Sequence, residues 1–214
     1  MEASQPARRE ADVAPAPAAT TTSVGWSPAN PAPLGLAGFA ATTFILSMIN
    51  TNQVSAAGAI GGVLAVALAY GGIAQLLAGM WEFRAGNTFG AAAFSSYGAF
   101  WISVFVLVRI GPAVTHSGFS LYLYAWTIFT LIMLIASLQT NGVLVAIFAM
   151  LTITFLLLAI GNASLTGLQA TNSTIKIGGW TGIVTAILAW YGVLAIVTNS
   201  TFGKDVLPLY PLNR

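Results

Sequence analysis

Apolar and polar positions divide the chain into a polar leading segment, six long apolar runs and short connectors. The runs cover roughly residues 34–49, 56–80, 89–108, 119–138, 143–160 and 178–198. About 20 apolar residues in helical form cross a bilayer core, so each run is near the length of one span. A barrel strand would alternate over about ten residues, whereas LTITFLLLAI at 151–160 is apolar on every side. The pattern predicts an all-α, polytopic membrane protein with six transmembrane helices.

Composition agrees, with 57% hydrophobic and 6% charged residues against about 45–50% and about 25% in soluble domains. Residues 1–29 are rich in Ala, Pro, Thr and Ser and bury too little to fold, so they read as a disordered tail. Arg8 and Arg9 are followed by no apolar signal region. Residues 30–200 form a six-helix transmembrane domain and 201–214 a second tail. Lys and Arg fall five to two across the alternating segments: Arg8, Arg9, Arg84, Lys204 and Arg214 against Arg109 and Lys176. By the positive-inside rule both termini are cytoplasmic, in a multi-pass protein of the cell membrane. A net charge of +2 gives no reason to expect nucleic acid. With no cysteine and one histidine, neither a metal nor another cofactor is expected.

Ionisable groups are missing from the centres of the runs, which argues against an intramembrane enzyme or a voltage sensor. A path lined by amides, hydroxyls and backbone dipoles is left. The first run opens on NPAPLGL, Asn30 to Leu36. Asn30 suits an N-cap, Pro31 the first helical position and Pro33 the first turn, with the N–H groups of Ala32 and Leu34 open. Such a helix end suits an anion. Gln75 and Glu82 are two turns apart and fall on nearly one face. Asn87 or Thr88 in GNTFG can cap the third span, which then carries Ser95, Ser96 and Tyr97. Gly58 with Gly62, and Gly178 with Gly182, have the spacing that lets helices approach closely.

NPAPLGL together with YGGIAQLLAGMWEFRAGNTFGAAAFSSYGAFW at 70–101, AIGN at 159–162 and GGW at 178–180 resembles the acetate uptake transporter family, the succinate–acetate permeases. The resemblance implies a six-helix protomer in a homo-hexamer, with a path for a small carboxylate through each protomer. Acetate is the chief cargo it implies, and succinate a second in some members. It places a narrow apolar and aromatic ring on Phe39, Tyr97 and Leu151, with Asn30, Gln75, Asn87 and Thr88 as polar substrate contacts. Channel-like and proton-coupled passage both fit. The rival readings are a water or small-solute channel, since NPA also marks aquaporins, and a membrane sensor without transport. Aquaporins need two such boxes, and one is present.

Overall fold

The structure is a computed structural model describing residues 26–110, 114–165 and 171–212. The expected tail at 1–29 lies mostly outside the described residues. Among the described residues, six helices are long and apolar enough to cross a membrane: α1 (Ala32–Asn50), α2 (Ala56–Arg84), α3 (Thr88–Ile110), α4 (His116–Ser137), α5 (Gly142–Ala163) and α6 (Ser173–Phe202). Apart from an isolated bridge between Asn141 and Pro211, the described residues contain no strand pairing.

Side chains at the N-termini fix where several helices begin. Thr115, Asn141 and Asn172 accept from the N–H groups of Gly118, Leu144 and Ile175, each three residues on, at 3.1, 3.0 and 2.9 Å. This is the N-cap bond that satisfies an otherwise orphaned donor. At the other end of α6, Gly203 takes φ +65°, the left-handed C-cap conformation that glycine adopts without a Cβ penalty.

α1 starts one residue later than the sequence suggests. Pro31 is already near-helical, at φ −80° and ψ −14°, and acts as the N-cap position. Asn30 Oδ1 accepts from Ala32 N at 3.0 Å, while the Pro31 carbonyl accepts from Leu34 N at 3.1 Å and from Gly35 N at 3.3 Å. The N–H groups of Ala32 and Leu34, expected to be open, are therefore both bonded. A tight first turn satisfies them locally and leaves no vacant helix end for an anion.

α2 is not uniform. Residues Ala69–Ala74 form a π-helical turn, with Gly71 and Gly72 at its centre. Gly71 faces Thr42 of α1 and Trp101 of α3, so any side chain there would collide with both helices. Gly38 of α1 meets the same turn from the other side, where an added Cβ would lie 2.5 Å from the Tyr70 carbonyl oxygen. π-turns inside α-helices frequently mark functional sites. Below this one, Gln75, Ala78, Gly79 and Glu82 form a buried stripe along one face, in the i, i+3, i+4, i+7 spacing of a packed helix.

Gly178 packs on Leu158, and Gly182 on Ser47 and Thr154. That pair makes close helix contacts within the protomer. Gly58, Gly61 and Gly62 meet nothing within 4 Å and leave an open strip along α2.

The helices run as a ring, α1 against α6, α6 against α5, α5 against α4, and α2 against both α1 and α3. α3 and α4 have few close backbone contacts. Aromatic rings fill that seam: Phe100 with Trp126 at 5.0 Å, Tyr97 with Phe129 at 5.4 Å and Phe100 with Tyr122 at 5.9 Å between centroids.

After Gly203 the chain turns back over the ends of α5 and α6 as a strap. Asn199 holds it with three bonds, accepting from the Val206 and Leu207 N–H groups at 2.8 and 2.9 Å and donating to the Leu207 carbonyl at 2.8 Å. The Tyr191 hydroxyl donates to the Pro208 carbonyl at 2.8 Å. Two backbone bonds, Gly142 N to Tyr210 O at 2.8 Å and Leu212 N to Thr140 O at 3.0 Å, join it to the α4–α5 connector. The Arg84 guanidinium donates to the Trp26 carbonyl at 3.2 Å. The leading segment thus meets the α2–α3 connector and the strap meets the α4–α5 connector, as an even number of spans requires.

Candidate functional site

Inside the ring, α1, α2, α3, α5 and α6 line a chamber of about 80 Å³. One water occupies roughly 10–15 Å³ by this kind of measure, so the space suits a few waters or one small organic ion. Its walls are mainly Leu36, Phe94, Ile147, Phe148 and Ile196, and Leu209 of the strap lines its outer end. Besides the Tyr97 ring, the polar side chains on it are three amides, Gln75, Asn87 and Asn141.

Helix arithmetic sets the depth of the chamber floor. Phe39 is seven residues into α1, and Tyr97 and Leu151 are each nine into α3 and α5. At 1.5 Å per residue these lie about 10–13 Å below the helix starts, close to the middle of a core about 30 Å thick. All three line the chamber and are 5%, 3% and 3% exposed. The Phe39 and Tyr97 rings are 5.9 Å apart and tilted by 55°. The structure therefore brings together the three residues assigned to a ring from the resemblance.

The Tyr97 hydroxyl points away from this space. It bonds Thr130 Oγ1 on α4 at 2.8 Å, and the Thr130 hydroxyl itself donates to the Trp126 carbonyl at 2.7 Å. With that proton engaged, Tyr97 is the donor of the pair. The Tyr97 ring lines the chamber, while its hydroxyl is engaged with α4. Tyr97→Phe should therefore leave the rate and range of transport nearly unchanged and lower stability by about 1 kcal/mol. Uptake rates measured beside melting temperatures check this.

The amides are positioned by the elements they begin. Asn87 Oδ1 accepts from the Gly90 N–H at 3.1 Å, so Asn87 rather than Thr88 caps α3. Its Nδ2 donates one hydrogen to Glu82 Oε2 at 2.8 Å and keeps a second. Asn141 Oδ1 is held by the Leu144 N–H, so its Nδ2 group is likewise available. Gln75 is 1% exposed, and its Oε1 has no partner. N–H donors facing an otherwise apolar space can hold a carboxylate while a methyl packs on the walls.

Of the expected polar contacts, Gln75 and Asn87 lie on the chamber. Asn30 and Thr88 are exposed and do not line it. Asn30 uses its carbonyl oxygen to secure the start of α1, two residues from the chamber residue Ala32. Asn141 and Leu209 were not anticipated. For Asn141 the signal was present, because TNGVL at 140–144 has the same capping residue before an apolar run as GNTFG. Nothing in the pattern marks Leu209.

Residues 14–213 match the GPR1/FUN34/yaaH family. The chain is 40% identical over 198 residues to acetate permease A of Emericella nidulans, covering 85% of this chain and 65% of that protein. It is also 40% identical over 186 residues to the succinate-acetate/proton symporter SatP of Escherichia coli, covering 85% of this chain and 95% of the symporter. Among solved structures, that of the bacterial acetate channel SatP superposes with a TM-score of 0.78 at 40% identity, over 85% of this chain and 99% of the other.

Proposed function

Because the chain belongs to the GPR1/FUN34/yaaH family, we propose that it carries acetate and related small carboxylates, succinate among them, across the cell membrane. It is a multi-pass membrane transport protein and not an enzyme. The observation that carries the cargo reading is the chamber itself: amide N–H donors in an apolar enclosure, above the ring of Phe39, Tyr97 and Leu151. Its residues include no Lys or Arg, so it holds a carboxylate by hydrogen bonds without a fixed counter-ion. The size of the chamber favours a two-carbon acid.

Both termini are cytoplasmic in this reading, supported by the five-to-two bias of Lys and Arg. The protomers assemble as a homo-hexamer, each with its own path. The open glycine strip of α2, which finds no partner among the described residues, supports a neighbouring copy there. Residues 30–200 form the transport domain between two tails, and Asn30 acts on cargo only through the start of α1.

Labelled acetate should enter proteoliposomes faster than protein-free vesicles, and excess unlabelled acetate should compete with it. Rapid osmotic water flow without acetate uptake would instead favour a water channel.

A further inference from the structure

Glu82 is a titratable group that the chamber description leaves without a role. It is 1% exposed, among the most buried side chains of the protein. Oε2 accepts from Asn87 Nδ2 at 2.8 Å, and Oε1 has no partner. Gly90 separates the carboxyl from the chamber: it lines the chamber, and a Cβ on it would lie 2.7 Å from Glu82 Cδ. A second line of buried polar atoms leads inward along α2. Ser95 Oγ, which sits against Gly79, and Gln75 Oε1 both lack partners. Glu82, Gly79 and Gln75 follow one another by about a helical turn, so the row spans about 10 Å and ends at the chamber.

We propose that Glu82 is the proton-binding residue that links a proton to each carboxylate, acting across Gly90 and through the Asn87 amide. This rests on the carboxylate-transport reading above. An ionised Glu82 and a carboxylate in the chamber are two like charges across one glycine in a poorly solvated region, and they repel. A proton on Oε1 removes that repulsion, so proton and carboxylate favour each other's binding by the same factor. The proton comes from the side where cargo enters, is held on Oε1 while cargo occupies the chamber, and leaves with it. Glu82 then returns to its ionised state. Asn87 holds Oε2 in both states.

Among the described residues, no competing charge faces this carboxyl. α1 contains no titratable side chain. α3 contributes Tyr97, engaged with Thr130, and Arg109 at its far end. On α2, Arg84 is exposed and directed to the Trp26 carbonyl, and Tyr70 lies three turns away.

The test measures initial rates of labelled-acetate uptake into proteoliposomes, with protein-free rates subtracted. One arm imposes an inward proton gradient of about one pH unit. The other imposes an inside-positive potential of about 59 mV, each worth about tenfold in driving force for one charge. One proton per carboxylate is electroneutral, so the wild-type rate should rise several-fold with the proton gradient and ignore the potential. Glu82→Gln should lose the response to the proton gradient and acquire one to the potential. A purely structural role for Glu82 would not exchange one response for the other. Full retention of the proton response in Glu82→Gln overturns the proposal, as does a wild-type rate that follows the potential. Glu82→Asp should keep the proton response with its pH midpoint moved. Should the Gln variant fail to assemble, an unmoved midpoint in the Asp variant overturns the proposal. Wild-type uptake no faster than protein-free vesicles overturns the transport reading itself, a result distinct from lost coupling.

Discussion

Leu151→Ala should admit lactate while acetate still passes. The side chain is 3% exposed and forms one side of the chamber floor opposite Phe39 and Tyr97. Removing three carbons enlarges the chamber wall at Leu151 without touching Gln75, Asn87 or Asn141. Lactate is larger than acetate by one CH(OH) unit, and the space freed by the truncation is expected to take it. Truncating a buried leucine also costs roughly 2–5 kcal/mol, so the variant should melt lower. The measurement is competition of unlabelled lactate against labelled acetate, read beside the melting temperature. Lower stability with no gain in lactate competition would make Leu151 a packing residue and remove it from the path.

Gly38→Ala should abolish uptake and sharply reduce the yield of folded protein. The added methyl would lie 2.5 Å from the Tyr70 carbonyl oxygen and 3.1 Å from the Tyr70 carbonyl carbon. Neither atom belongs to a flexible side chain, so α1 and the π-turn must separate. Overpacking typically costs 1–3 kcal/mol, and backbone against backbone lies at the upper end or beyond. The displaced turn also carries Gln75, which follows it directly, so surviving protein should lose its amide contact. Gly58→Ala is the control, because a Cβ there meets nothing within 4 Å. Size-exclusion profiles and acetate uptake of the two variants should differ plainly; equal behaviour would show that the α1–π-turn contact gives way.

The six spans were legible because each keeps an unbroken apolar character over its length, which no other arrangement in a bilayer satisfies. The face shared by Gln75 and Glu82 was legible from their spacing. The π-turn between them and the start of α2 was not. Hydropathy cannot distinguish a bond to the fifth residue from one to the fourth, and the Gly71–Gly72 pair is a weak signal until its neighbours on α1 and α3 are known. Asn30 was expected at the N-cap, but Pro31 holds that position and Asn30 instead accepts from the Ala32 N–H. The bonding of Leu34 N to the Pro31 carbonyl was missed, because it depends on the dihedral angles Pro31 adopts. Tyr97 was placed on the path, but the direction of its hydroxyl depends on Thr130, 33 positions away. The strap was illegible for the same reason: PLYPLNR contains no apolar run, and its order comes from Asn199, Tyr191 and the α4–α5 connector.

That strap has an energetic asymmetry. Tyr210, the residue that bonds Gly142, has φ +56°, a left-handed conformation that costs a bulky side chain on the order of 1–3 kcal/mol. A backbone hydrogen bond contributes about 1 kcal/mol net, so the two that close this end roughly balance the distortion they impose. The Asn199 anchor, nearer α6, holds with three bonds and no such distortion. The strap is thus a hinged flap, firmly rooted at one end and spring-loaded at the other. Leu209 lines the chamber from this weakly closed end, so weakening the two closing bonds is expected to expose the chamber here before any helix is disturbed.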